Sequence, residues 1–217
     1  MKQALVTMAL SEEYKRIGYD MTFPIMEAYC LRYGLDFVNI DHCKRRHDTE
    51  NCAAWERLIW MYKLLEKYDR VIHAEVDVIL ARDARDILEI LPPGTFYGFD
   101  EATRDHDRCE TFLRRAELEQ GESRPVQQTL MYNSGAFVCD KKHREMFRLA
   151  ANEQATDMIE MALMNLRLTA FRHKDVSPDF INLSYELGDK RPDLLHIAWE
   201  PGSKYDAVKR FMGRMGW

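Results

Sequence analysis

Several familiar signals are missing from this sequence, and each absence removes a class of function. No G-x-x-x-x-G-K-[ST] phosphate loop and no G-x-G-x-x-G fingerprint occurs, so neither a P-loop NTPase nor a classical dinucleotide-binding fold is indicated. There is no G-x-S-x-G elbow to expose a nucleophilic serine. The five cysteines form no CxxC pair and are odd in number, which argues against a structural zinc site and against a disulfide framework. A reducing, cytoplasmic compartment is the expectation that follows. No apolar run is long enough for a membrane span, and the first residues enter a strand-like segment in place of a leader. Repeats, low-complexity tracts and Gly/Ser linkers are also lacking. One domain over residues 1–217 is the simplest organisation, in two halves, 1–99 and 100–217.

What is present is an ordinary globular composition, 46% hydrophobic and 31% charged, with a net charge of -5. That charge argues against nucleic acid as the main partner. Ala4 to Leu10 reads as a first strand, followed by a polar turn at Ser11-Glu12-Glu13. Tyr19 to Tyr33 has apolar residues at helical spacing and a Gly34 stop. Leu35 to Ile40 is a second strand ending at Asp41, Ala53 to Lys67 a second helix, and Arg70 to Ala74 a third strand. Alternating strands and helices of this kind predict an α/β fold with a mostly parallel central sheet flanked by helices. Ligands in such sheets sit beyond the carboxyl ends of the strands.

The second half is less regular. It predicts a short helix over Asp86 to Leu91, a strand over Phe96 to Phe99, a helix over Cys109 to Leu118 and strand character from Thr129 to Cys139. Helices are expected about Lys141 to Asn152, Thr156 to Leu168 and Lys204 to Met212, with a short apolar piece at Leu194 to Ala198. The charged stretch Asp100 to Gln128 has the character of a variable insertion over a ligand site, or of an external helical excursion without function. The C-terminal mixture of basic and apolar residues reads as a helix packed on the core, with a membrane or partner surface as the alternative.

The segment Tyr68 to Leu80 carries the strongest chemical signal. An apolar strand runs into Glu75 and Asp77, and a second apolar run follows. In an extended chain the two carboxylates would share a side. Close carboxylates repel unless a cation lies between them, and a hard divalent ion held there would neutralise a diphosphate leaving group. Read alone, an acid-x-acid triplet is more often a pair of surface acids. His196, with Gly202 and Lys204 after it, offers an imidazole ligand and a cation after a glycine turn; a lone histidine in an apolar strand is more often a hydrogen-bonded core residue. Asn133-Ser134-Gly135 could present an amide and bare backbone to a sugar, or be an ordinary turn. Arg57 could reach a phosphate, or simply pair with Glu56 or Asp69.

Together these residues resemble the GT-A nucleotide-diphospho-sugar transferases, nearest to the glycogenin-like, retaining family eight. The resemblance rests on Val6-Thr7 with Tyr14, Trp55-Glu56-Arg57-Leu58, the Tyr68–Leu80 strand with Glu75 in place of the first aspartate of Asp-x-Asp, and Asn133-Ser134-Gly135. It extends to Asp157, Asp179-Phe180-Ile181-Asn182, and His196 with Gly202 and Lys204. It implies a metal-dependent transfer of a sugar from a nucleotide-diphosphate donor, UDP-linked, with retention of configuration. Glu75, Asp77 and His196 would hold Mn2+ or Mg2+, and Lys204 and Arg57 would meet phosphate or donor sugar. Thr7 and Asp41 would meet the nucleoside. Asn133, Gly135 and Asp157 would line the sugar, with Gly202 shaping the closing turn. The acceptor could be a glycan, a lipid-linked sugar or a protein, and a homo-oligomer is compatible with the sequence. Two rival readings share these residues: a sugar-1-phosphate nucleotidyltransferase, which usually opens with a Gly-rich loop absent after strand one here, and a catalytically inactive sugar-nucleotide-binding or scaffold protein.

Overall fold

The computed structural model describes residues 1–44, 54–125, 128–149, 159–176, 180–184, 191–198 and 200–217. Parallel pairing begins at the N-terminus, where β1 (Gln3–Met8) lies between β2 (Asp36–Ile40) and β3 (Arg70–Ala74). Both faces of these strands are covered, which explains why β1 and β3 are continuous apolar runs and do not alternate. Ala4, Leu5, Val6, Val71, Ile72 and Ala74 are all fully buried.

The sheet continues through β5 (Phe96–Asp100), β6 (Tyr132–Asp140) and β7 (His173–Asp175), in the spatial order β2-β1-β3-β6-β5-β7. Only β6 runs against the others. Its insertion beside β3 matters for the site, because Ala136 then faces Ala74 and the segment Asn133-Ser134-Gly135 lies alongside the end of β3. A second, three-stranded sheet is ordered β4-β9-β8, from β4 (Val78–Leu80), β8 (Ile181–Leu183) and β9 (Leu194–His196). The antiparallel pairing of β4 with β9 sets Val78 opposite His196.

Helices cover the two faces. One core packs α1 (Glu12–Ile17), α2 (Phe23–Tyr33) and α7 (Lys204–Met212) on the side of Leu5 and Ile72. The other packs α3 (Glu56–Lys67), α5 (His106–Gln120) and α6 (Ile159–Leu168) on the side of Val6 and Phe137. A single turn, α4 (Ile87–Ile90), is capped by Asp86, whose side chain accepts from Leu88 and Glu89 N–H at 3.1 and 3.2 Å.

Helix ends account for most departures from the sequence reading. The polar turn expected at residues 11–13 is the start of α1: Ser11 Oγ accepts from Tyr14 N–H at 3.2 Å, and Glu12 and Glu13 occupy the favourable first turn. The helix expected from Tyr19 begins at Phe23, after a wide π-helical turn over Gly18–Thr22. The Phe23 ring folds back over Gly18, where a β-carbon would lie 2.3 Å from it. Past β6, Lys141–Phe147 is a 3-10 helix in place of the longer helix expected there. Asp140 and His143 close its start reciprocally, and Asp140 N–H donates to His143 Nδ1 at 2.9 Å. No helix among the described residues is long and apolar enough to cross a membrane.

Candidate metal and donor site

After β3 the chain turns sharply instead of continuing extended. Glu75 N–H donates to Gly135 O at 2.7 Å, and Val78 N–H donates to Glu75 O at 2.9 Å. Thr22 Oγ donates to Val76 O at 2.8 Å and pins the turn from α2's side. The two carboxylates therefore converge because of a tight turn, and strand alternation is not the cause. His196 reaches the same point from β9. Its Nε2 lies 3.5 Å from Glu75 Oε2 and 3.5 Å from Asp77 Oδ1. One ligand atom from each of Glu75, Asp77 and His196 falls within 4.8 Å of the others, which makes the three a candidate metal-binding triad.

Asp77 is the buried anchor of the cluster, its side chain 2% exposed. Burial pushes its carboxyl up, but the His196 imidazole and the Lys204 ammonium outweigh that and hold it down at about 2. Lys204 Nζ stands 3.0 Å from Asp77 Oδ2 and also donates to Ile197 O. Asp77 Oδ1 has no hydrogen-bond partner although it is buried. An orphaned carboxylate oxygen is costly unless something else meets it. Two carboxylates and an imidazole are a donor set suited to Mn2+, and to Mg2+ less well because imidazole is the softer ligand. The residues fit a divalent cation.

Glu75 is the outer member, with its side chain 27% exposed. Its Oε1 pairs with Arg57 Nη2. Arg57, on α3, is buried and also meets Glu160 Oε1 of α6 at 3.1 Å. It pairs with neither Glu56 nor Asp69 in these contacts; it joins the acidic turn to α6. Asn133 Oδ1 lies 3.0 Å from His196 Nδ1 and accepts from Gly135 N–H at 2.8 Å. Asn133 Nδ2 donates to Glu101 Oε1 at 2.7 Å. Gly135 lies directly under the imidazole: a β-carbon there would be 2.3 Å from His196 Cε1. Absence of a side chain at 135 is what lets the ring sit where it does.

The other sequence-singled residues lie around this centre. Thr7 is fully buried near the carboxyl end of β1, and its Oγ1 makes no hydrogen bond. Asp41 is exposed just past β2, and its hydrogen bond with His42 lowers its carboxyl. Gly202 adopts φ 87, a left-handed conformation that favours glycine, immediately before Ser203 caps α7. Asp157 and Asp179 lie outside the described residues. Sequence reasoning missed Glu160 and Glu101. Both are acids in the first turn of a helix, the commonest place for one, and nothing in their spacing marks them.

No protein-family model matches the chain, and no curated protein matches it in sequence. Solved structures do. One is a glycosyltransferase involved in the glycosylation of the major capsid of PBCV-1, with a TM-score of 0.66 and 12% identity, covering 98% of this chain and 100% of that one. The fold is that of a GT-A-type glycosyltransferase. WbbM, a bifunctional glycosyltransferase, aligns with a TM-score of 0.55 and 9% identity over 99% of this chain and 51% of its own. Mouse xyloside xylosyltransferase 1 aligns with a TM-score of 0.51 and 9% identity over 92% of this chain and 98% of its own. Likeness at such identities is likeness of fold, so activity has to be argued from the site.

Proposed function

We propose that this chain is a metal-dependent glycosyltransferase of the retaining, glycogenin-like kind, moving a sugar from a UDP-linked donor to a hydroxyl acceptor. One observation carries the reading. Glu75 and Asp77, from the turn between β3 and β4, and His196, from β9, meet within 4.8 Å around an unpartnered oxygen of Asp77, in a fold used by glycosyltransferases. A divalent cation bound there supplies charge neutralisation for a diphosphate leaving group.

The chain's own residues supply the remainder. Asp77, held ionised by Lys204 and His196, is ready to bind a cation without first losing a proton. Arg57 and Lys204 bring fixed positive charge to the rim of the acidic turn, where developing negative charge on a leaving diphosphate is stabilised most. Asn133 and Gly135 hold the His196 ring in place, and with Asp157 they are the proposed wall for the donor sugar. Thr7 and Asp41, near the ends of β1 and β2, are the proposed contacts for the nucleoside. Gly202 gives the turn that delivers Lys204.

The test is donor hydrolysis without acceptor. Purified protein is incubated with Mn2+ and a panel of UDP-, GDP- and CMP-sugars, and free nucleotide is measured. Slow release of UDP from one sugar, lost in Asp77→Ala, is the expected result. Failure of every nucleotide sugar to shift the melting temperature with any divalent ion would overturn the reading.

A further inference from the structure

The acidic turn is served by a hydrogen-bonded chain that runs away from it into the charged segment after β5. Asn133 Oδ1 receives the Gly135 backbone N–H at 2.8 Å, and a backbone N–H can only donate. The atom facing that group is therefore the amide oxygen, and the same oxygen faces His196 Nδ1 at 3.0 Å. An amide oxygen cannot donate, so Nδ1 must carry the proton in this contact. Nε2, which faces Glu75 and Asp77, is then the nitrogen that a cation would meet, in place of any proton it shares with those carboxylates.

The opposite end of the amide is fixed as firmly. Asn133 Nδ2 donates to Glu101 Oε1 at 2.7 Å, and Glu101 Oε2 receives Arg108 Nη2 from α5 at 2.7 Å. Glu101 is buried, its side chain 4% exposed, whereas Arg108 is 45% exposed. An amide flip at Asn133 would set its oxygen against the Glu101 carboxylate and its NH2 against the Gly135 N–H, two like-facing contacts. On the side of α6, Asn165 fixes the neighbouring backbone: its Oδ1 accepts from Tyr132 N–H at 2.8 Å and its Nδ2 donates to Tyr132 O at 2.9 Å.

We infer that Glu101 is a positioning residue which, through Asn133, locks His196 in the Nδ1-protonated form and reserves Nε2 for a divalent cation, with Arg108 bracing Glu101 from α5. The cation half of this statement rests on the proposed metal site; the tautomer half does not. The start of the charged segment is thereby tied to the metal-binding triad, and the residues between β5 and β6 act on the chemistry of a ligand they do not touch.

The experiment compares wild type, Glu101→Leu, Glu101→Gln and Arg108→Met. The His196 tautomer is read in metal-free protein by long-range 1H–15N NMR, and Mn2+ affinity by EPR titration. Glu101→Leu removes the acceptor for Asn133 Nδ2 and is expected to scramble the tautomer and weaken Mn2+ binding by about tenfold or more. Glu101→Gln keeps an acceptor oxygen and is expected to stay close to wild type, a rescue that a merely space-filling role at 101 would not require. Unchanged tautomer and unchanged Mn2+ affinity in Glu101→Leu overturns the inference. Should that variant fail to fold, the same two readouts on Arg108→Met decide, with a smaller weakening expected and no change overturning it. If wild type binds no Mn2+, the metal site fails by itself, and the tautomer comparison still judges Glu101.

Discussion

The two ends of β3 handle buried charge in opposite ways. At its start, Arg70 is 1% exposed and every guanidinium nitrogen has a partner: Nε donates to Asp140 Oδ1 at 2.8 Å, Nη1 to Leu88 O at 2.6 Å and Nη2 to Leu91 O at 2.7 Å. Asp140 in turn accepts from Gly94 N–H. At the far end, Asp77 keeps an oxygen with no hydrogen bond, Arg57 keeps an unpartnered Nε, and Glu75 is partly open to solvent. The same strand thus carries one polar network that is closed and one that is left open. A closed network fixes a fold; an open one at a strand's carboxyl end is where a ligand belongs.

Removing Arg70 should have the largest effect. Arg70→Ala strands Asp140 and two carbonyls, and is expected to cost about 3–5 kcal/mol in chemical denaturation. Any protein that still folds should keep its metal affinity, since nothing at the far end has changed. Asp77→Ala is the mirror experiment. Donor hydrolysis should fall on the order of a thousandfold, while the melting temperature falls less than in Arg70→Ala, because the substitution strands Lys204 but also removes a buried oxygen that has no hydrogen bond. Equal damage to stability from both substitutions would erase the distinction between the two ends.

Acid should loosen the Arg70 end through His143. Burial pushes the His143 imidazole down to about 4 from 6.5, so the folded state keeps it neutral while the unfolded state takes up a proton. The unfolded state binds more protons between those two values, so stability rises with pH through that window and is lost as pH falls from 6.5 towards 4. The contribution reaches about 3 kcal/mol. His143→Gln retains an acceptor for Asp140 N–H and should flatten that part of the profile in denaturant titrations at pH 7 and 4.5. The smallest effect is expected from Gly135→Ala, which must push the imidazole off its present place. Mn2+ affinity should drop about tenfold by EPR, with β6 still formed by circular dichroism.

How much of this was legible beforehand differs along the chain. The strands β1 and β3 were readable because continuous apolar runs between helices have few other uses, and the helix expected over Lys204 to Met212 is observed with those ends. The order of strands was not readable. Nothing local in Tyr132–Asp140 says that it will lie antiparallel beside β3 instead of extending the sheet at an edge. Glu75 and Asp77 were found through an argument about extended strands, yet a turn brings them together. His196 was singled out by its combination with Gly202 and Lys204; its actual placement depends on the register of β4 with β9, a pairing between distant segments. Asn133 was singled out for a sugar contact, and its engagement with His196, Gly135 and Glu101 was not readable, because those partners come from distant segments. Glu101 and Glu160 had no local mark at all, because their meaning comes only from what folds against them.

Since Glu75 and Asp77 leave the large sheet while His196 arrives on the small one, the cluster is a seam closed by the last strand to be synthesised. A nascent or truncated chain ending before β9 carries the acidic turn but lacks the imidazole. Ion capture at full affinity would therefore report that the C-terminal strands have docked, and a fragment ending before β9 should hold an ion only weakly.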